Sequence, residues 1–492
     1  MRYLFISLCC FSLLSCATIP DQAYHKVVCA TEDSCAKTEL DANIKPVTNM
    51  VIVNGVSVFR EDQVEKKQGD TIANTSFNLL YLEYAESGQK FEGTRQLDVI
   101  KRAIATSNKP VYLVIYVNSW NNNASSEQRA ASSDQPSPDL VSFPYLLARR
   151  NFQNPEMTVI GVYIGWNGKK HQNALANILS VQNRAKVADT IGKKGEVRSD
   201  IISLVNNVQK SPHLGYTLII GKSFGGRLLS RAFIDDLAQA KSVKDWPLGS
   251  RSLLVTLNSA IGADAFDKIY QNMPAPEPNS GLTLQRPFWI NLTSKDDWVT
   301  GKAFPKARLI GQKLSDLAKK RTIGHYMPYV SHSITIENGD SPYKKSECFS
   351  SYDSHDSHCI QEQDGQLTPT LNVRSTEPWF KIPLQDPNYN EKNRRNDKEN
   401  VATNFCDETR YVYENPNAIA TDVRYYTTVL RPLYHRPESK LGYMWNFHTD
   451  QSVIGYRPEE AKVIKNSGKH NAYVQTILGR MADDMLFTAP EK

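Results

Sequence analysis

The chain has 492 residues, a formal net charge of +6, 40% hydrophobic residues and 10% aromatics. That is enough apolar material for a substantial core, in one large domain with insertions or in two domains. The positive charge is scattered in pairs such as Lys169-Lys170 and Lys193-Lys194, which read as solvated faces, so no nucleic acid is expected as a partner.

At the N-terminus, Met1-Arg2 carries one charge and Tyr3 to Leu14 is an almost unbroken apolar run. The run is too short for a stable membrane-spanning helix and reads as the core of an export signal. It ends in Leu13-Leu14-Ser15-Cys16, which resembles the bacterial lipobox. That resemblance implies cleavage after residue 15, acylation of Cys16 and a membrane anchor through its lipid; an ordinary signal peptide with an accidental cysteine is the alternative. Ala17 in place of an aspartate points to the outer membrane of a bacterial envelope, facing either way. Residues 16–48 are polar and suit a tether, and 49–492 are expected to form the domain proper.

Strands and helices then alternate. Asn78–Tyr84 is strand-like, Gln96–Ile104 helical, and Val111–Val117 a buried strand followed by a polar loop over 118–126. Leu140–Arg149 reads as a helix, Thr158–Ile164 as a buried strand, and Asn183–Val208 as one long helical stretch. Tyr216–Ile220 is a strand, and Leu228–Ala240 a helix with Leu229, Ala232, Phe233 and Leu237 on one side. Leu253–Leu257 and Phe288–Leu292 are two more strands. Continuous apolar strands between helices predict an α/β fold with a mostly parallel central sheet covered by helices on both faces. Residues 340–440 are rich in Asp, Asn, Pro, Tyr and Lys without periodicity, and an irregular cap is expected as an insertion over 310–440. Tyr443–Ile454 is the expected last strand, and Ala472–Leu486 an amphipathic helix.

The densest chemical signal is Gly221-Lys222-Ser223-Phe224-Gly225-Gly226, a G-x-S-x-G motif between an expected strand and an expected helix. A strand-to-helix turn tight enough to lift a serine hydroxyl above the sheet edge needs small neighbours, and the helix N-terminus favours developing negative charge. An accidental surface turn is the competing reading. With this motif, the blocks Tyr116–Ala124, Gly161–Trp166, Thr293–Thr300 and Gly324-His325-Tyr326 resemble the α/β-hydrolase superfamily, and more closely a group of poorly characterised microbial members. The resemblance spans roughly Leu79 to Leu486 and implies serine-nucleophile hydrolysis of carboxylic esters or related acyl compounds, without a cofactor.

Carried over by position, Ser223 is the nucleophile and Asp297, directly before a tryptophan in the turn after Phe288–Leu292, the acid; two solvated turn aspartates are the alternative. The amides of Phe224 and of Ser119, in the loop after Val117, would form the oxyanion hole. Topology places the base between the last strand and the last helix, which selects His470. His325 and His332, nearer the acid in sequence and in a block the relatives share, are the other candidates, whereas His448 falls inside the expected strand. Two departures stand out: Asn118-Ser119 where relatives have His-Gly, and Lys222 where they have His. The Asn118 side chain could donate in place of the lost backbone approach. Trp120 is the tryptophan best placed to line a pocket; Trp166, Trp289 and Trp298 are read as core.

Five cysteines remain past Cys16. Cys29 with Cys35, and Cys348 with Cys359 or Cys406, are plausible local disulfides with one thiol left over. The cluster His355-Asp356-Ser357-His358-Cys359 lacks a second ligand pair at zinc-site spacing, so no metal is expected. The sequence therefore reads as a lipid-anchored serine hydrolase, esterase- or lipase-like, with an ester or lipid substrate. Its rival is a catalytically silent hydrolase fold serving as a binding or scaffold lipoprotein; a peptidase has no residue for or against it.

Overall fold

The computed structural model describes residues 18–27, 29, 35–53, 56–59, 72–91, 93–125, 138–171, 174–240, 245–272, 287–309, 317–326 and 329–338, and beyond these 349–350, 357–358, 409–414, 425–432, 444–449, 454–455, 473–474 and 486. They show an α/β architecture with a mostly parallel open sheet flanked by helices. The chain divides into two compact units, residues 1–261 with 306–313, and residues 262–305 with 314–492. No helix among the described residues is long and apolar enough to cross a membrane.

In the first unit, strands β1 (Pro46–Val47), β2 (Phe77–Tyr84), β3 (Val111–Val117), β4 (Thr158–Trp166), β5 (Tyr216–Lys222) and β6 (Ser252–Leu257) line up in the order β1-β2-β4-β3-β5-β6. All neighbours are parallel except the edge pair β1–β2. Every residue of β3 is buried, as its unbroken apolar run requires of a strand covered on both faces.

The helices follow from the strand order. Four of them, α1 (Gln96–Ala105), α3 (Val181–Lys194), α4 (Val197–Gln209) and α5 (Phe224–Gln239), lie on connections that step one way across the sheet. The helix α2 (Pro138–Gln153) lies on the single connection, β3 to β4, that steps back. Right-handed crossovers then put α2 on one face and the others on the opposite face. The contacts agree: α1 packs on α4 and α3 on α5, while α2 packs against β4. Leu229, Ala232, Phe233 and Leu237 of α5 are buried, as their spacing predicts.

Two expectations need correction here. The helical stretch 183–208 is broken at Gly195-Glu196, where the chain touches the turn at Gly88. A Cβ on Gly88 (φ +91°) would lie 2.7 Å from Gly195 Cα, and the Glu196 N–H donates to Gly88 O at 2.9 Å. The polar segment expected as a tether is docked on the domain. The amides of Tyr24 and His25 donate to the buried Glu83 carboxylate at 2.9–3.1 Å, and the His25 ring stacks on Tyr81. Burial pushes the Glu83 carboxyl up, but the hydrogen bonds from His25 and from these amides outweigh it and hold the group below its usual range. Cys29 and Cys35 are disulfide-bonded, Cα–Cα 5.1 Å; Cys348, Cys359 and Cys406 lie outside the described residues.

In the second unit, β7 (Trp289–Ser294) pairs in parallel with β11 (Met444–Thr449), which pairs in parallel with β8 (His332–Asn338). Antiparallel strands β10 (Tyr425–Pro432) and β9 (Thr409–Glu414) extend this sheet from β8. The expected irregular cap over 310–440 is thus corrected in part, because three of its segments are strands of a sheet. A helix from Ala472 is also contradicted at its start: Tyr473–Val474 is a strand paired with Ile454–Gly455.

Among the described residues of this unit, Asn446 bonds to several elements. Its Oδ1 accepts from Asn291 Nδ2 at 2.7 Å, and its Nδ2 donates to Ile323 O at 2.9 Å and to Tyr329 O at 2.8 Å. The side chain is fully buried and ties β7, β11 and the turn Ile323–His325 together. Asn446→Ala should cost about 2–4 kcal/mol, because buried donors and acceptors lose their partner. A urea titration checks this; a loss below about 0.5 kcal/mol would mean the amide is dispensable.

Candidate active site

Ser223 sits at the junction of β5 and α5 with φ 53° and ψ −114°, a left-handed conformation that a serine adopts at a cost of about 1–3 kcal/mol. Its surroundings hold it there. The Ser223 N–H donates to Leu257 O at 2.9 Å, and its own carbonyl accepts from Arg227 N at 3.0 Å and Ala260 N at 3.1 Å. Arg227 is pinned in turn by a fork onto Asp189, at 2.7 and 2.8 Å, and by a bond to Ala260 O. The motif glycines are needed for space. A Cβ on Gly225 would meet Val117 O at 2.3 Å, and one on Gly221 would meet Gly225 O at 2.7 Å. These contacts bring the end of β3 against the turn that carries the serine.

The position of this turn in the sheet is informative. From β3 the chain steps back to β4, while from its neighbour β5 it steps forward to β6. Loops diverging from adjacent parallel strands open a crevice at their carboxyl ends, the usual ligand site of such sheets. Ser223 and the loop 118–123 are the residues that follow these two strands.

That loop is more tightly bound than the sequence suggests. The Asn118 side chain donates to Asn122 O at 2.9 Å and Trp166 O at 3.2 Å, and accepts from Trp166 N at 3.0 Å. Ser119 gives both its amide, at 2.9 Å, and its hydroxyl, at 2.7 Å, to the buried carboxylate of Asp139. Its amide is therefore committed to Asp139, which corrects the oxyanion role expected of Ser119, and the Asn118 side chain is committed likewise. Phe224 opens α5, whose first-turn amides have no intrahelical acceptor. Lys222 also faces Asp139, Nζ to Oδ1 3.9 Å, so its charge has a counterpart. Sequence reading missed Asp139; its only signal is a carboxylate in the first turn of a helix after Pro138.

Of the tryptophans expected in the core, only Trp298 departs from expectation. Trp166 and Trp289 are core, Trp120 is half-buried beside the loop, and Trp298 is exposed.

In the second unit, Asp297 lies in the turn after β7 and is buried, whereas Asp296 is exposed. Its Oδ1 accepts from Val299 N at 3.0 Å and Thr300 N at 3.3 Å, and its Oδ2 accepts the Thr300 hydroxyl. The Thr300 oxygen is 3.3 Å from His325 Nε2. A hydroxyl that donates to the carboxylate can accept from Nε2–H, which leaves Nδ1 as the basic nitrogen of His325. A Cβ on Gly301 would touch that ring at 3.1 Å, and one on Gly324 would overlap Thr293 Oγ1 at 1.9 Å, so small residues shape the imidazole's seat.

His448, on β11, stands edge-on to His325 with ring centroids 6.1 Å apart. Burial, with the nearby His325 and Lys295, pushes its imidazole down to about 3. The unfolded chain thus binds the extra proton between about pH 6.5 and 3, so this group's contribution to stability is complete above 6.5 and falls as pH drops through the window. His448→Phe should flatten the acid side of the pH–stability curve; a curve as steep as the parent's would mean that other groups set it.

Of the other expected bases, His332 begins β8, and His470 lies outside the described residues. A second imidazole–carboxylate pair joins His25 of the N-terminal segment to Glu83 of β2. Three strand spacings separate β2 from β5, about 14 Å, so that pair is no partner for Ser223. Comparison with family models, curated proteins and solved structures shows no match to this chain.

Proposed function

We propose that the chain is a serine hydrolase of the α/β-hydrolase type, acting on a carboxylic ester or related acyl substrate and held at the bacterial envelope, most simply its outer membrane, by lipid on Cys16. The observation that carries this reading is the backbone of Ser223, a non-glycine residue kept in a left-handed turn at a sheet's switch point. Strain of that kind persists only where the surroundings impose it, and it concentrates at reactive groups. In the proposed reaction the Ser223 hydroxyl adds to the acyl carbonyl and its proton passes to an imidazole. The alcohol leaves with that proton, and water then releases the acid from the acyl-enzyme. His325 is the proposed base, with Asp297 and Thr300 setting its tautomer. In the scheme read from topology alone His470 takes that role.

A specific observation favours the rival, a silent binding or scaffold protein: the Ser119 amide is spent on Asp139, which leaves the oxyanion hole one expected donor short. A fluorophosphonate probe applied to the whole protein separates the two. A phosphonyl adduct mapped by mass spectrometry to Ser223 supports the enzyme. No adduct on folded protein supports the rival.

A further inference from the structure

The small helix that follows β4, α6 (Ala174–Leu179), ends in two adjacent exposed apolar side chains: Ile178 is 56% and Leu179 73% exposed. What lies beside them is the start of the chain. Thr18 forms an antiparallel bridge with His171, and Ile19 N donates to Lys170 O at 2.8 Å. Asn177 of α6 then accepts from the amides of Lys170 at 3.1 Å and His171 at 3.5 Å. The N-terminal segment and α6 are thus joined through residues 170–171. Cys16 is two residues before Thr18, so its Cα lies within about 8 Å of that of Thr18, whatever the conformation.

We infer that Ile178 and Leu179 form a bilayer-docking surface, entering the interfacial layer of the membrane that holds the Cys16 acyl chains. The inference rests on the reading of Cys16 as the lipid-bearing residue. Acyl chains alone anchor a protein firmly, each buried methylene adding about 0.8 kcal/mol, so these two side chains set orientation more than affinity. The orientation matters for the serine. Residues 167–171 follow the carboxyl end of β4, and Ser223 follows the carboxyl end of the parallel strand β5. Asn177 Nδ2 also donates to Asn121 Oδ1 at 2.7 Å, within the loop that touches Gly225. Docking through α6 therefore turns the edge that carries Ser223 toward the lipid, and a substrate delivered from the membrane is the class that this edge meets first.

The test uses the full lipidated chain in vesicles of brominated phosphatidylcholine. In L179W the added fluorescence should be quenched about twofold or more, as for a group about 5–10 Å into the headgroup boundary. L214W is the control. Leu214 is also exposed, but it precedes β5 and so marks the opposite edge of the sheet; its added fluorescence should be unaffected. Fatty-acid labelling and fluorophosphonate labelling of the same sample report separately on the anchor and on Ser223. Lipid on Cys16 with no quenching in L179W, or equal quenching in both variants, overturns the docking surface alone. A blue shift without bromine quenching would mark a protein partner and overturns it too. Absence of lipid on Cys16 overturns the anchor and this inference together, and leaves the nucleophile untouched.

Discussion

Ser223→Ala is expected to abolish ester hydrolysis and fluorophosphonate labelling while the melting temperature stays level or rises. The rate loss expected for removing a nucleophile that acts with its base is several orders of magnitude, about 10³-fold or more. The stability expectation follows from geometry. The side chain is almost fully enclosed, yet the turn is defined by backbone bonds, Ser223 N to Leu257 O and its carbonyl to Arg227 N and Ala260 N, all of which an alanine keeps. Alanine inherits the same left-handed strain, so the main change is one oxygen. Ser223→Gly provides the complement: it relieves the φ of 53° and should raise stability while being equally inactive. Hydrolysis by a folded Ser223→Ala protein within about tenfold of the parent would remove Ser223 from the chemistry.

Much of the first unit was legible in the sequence, for a physical reason. Strands buried on both faces are written as unbroken apolar runs, and Val111–Val117 and Thr158–Trp166 appear in the structure where those runs lie. The G-x-S-x-G turn was legible because its glycines recur at a short fixed spacing, although the demand on Gly225 comes from Val117 on a distant strand. Contacts formed across long separations were not. The break at Gly195 depends on Gly88, more than a hundred positions away, and nothing in the local helical pattern announces it. The commitment of Ser119 to Asp139 is equally invisible, since a serine after a strand looks the same whether its amide is available or bonded. The docked N-terminal segment misled for a related reason: a polar stretch reads as a tether, but its backbone amides found a buried carboxylate. In the second unit, low periodicity over 340–440 concealed the strands Thr409–Glu414 and Tyr425–Pro432, whose pairing fixes a register that composition does not encode.

For the proposed base, the largest remaining effect is expected at His325; His470, which chain order selects, lies outside the described residues. Topology read from the chain alone selects His470, because hydrolases of this type place the base after the last strand. His325 has a buried carboxylate two hydrogen bonds away, through Thr300, and the proposal takes it as the base on that ground. The threonine between them is unusual, since the acid in such sites generally holds the imidazole directly. It makes a prediction that separates a catalytic imidazole from a structural one. His325→Ala should lower kcat by about 10³-fold or more with KM little changed, since the ring acts in the transition state and not in binding. Thr300→Val, which keeps the shape and removes the hydroxyl, should lower kcat by a smaller factor, because the tautomer is no longer enforced; Thr300→Ser should restore it. His332→Ala and His470→Ala should leave kcat within a few-fold of the parent. Thermal melting of each variant guards against simple unfolding. Loss of activity in a folded His470→Ala protein, with His325→Ala active, would return the base to the position that topology selects and leave the Asp297–Thr300–His325 chain as a support for the turn after β7.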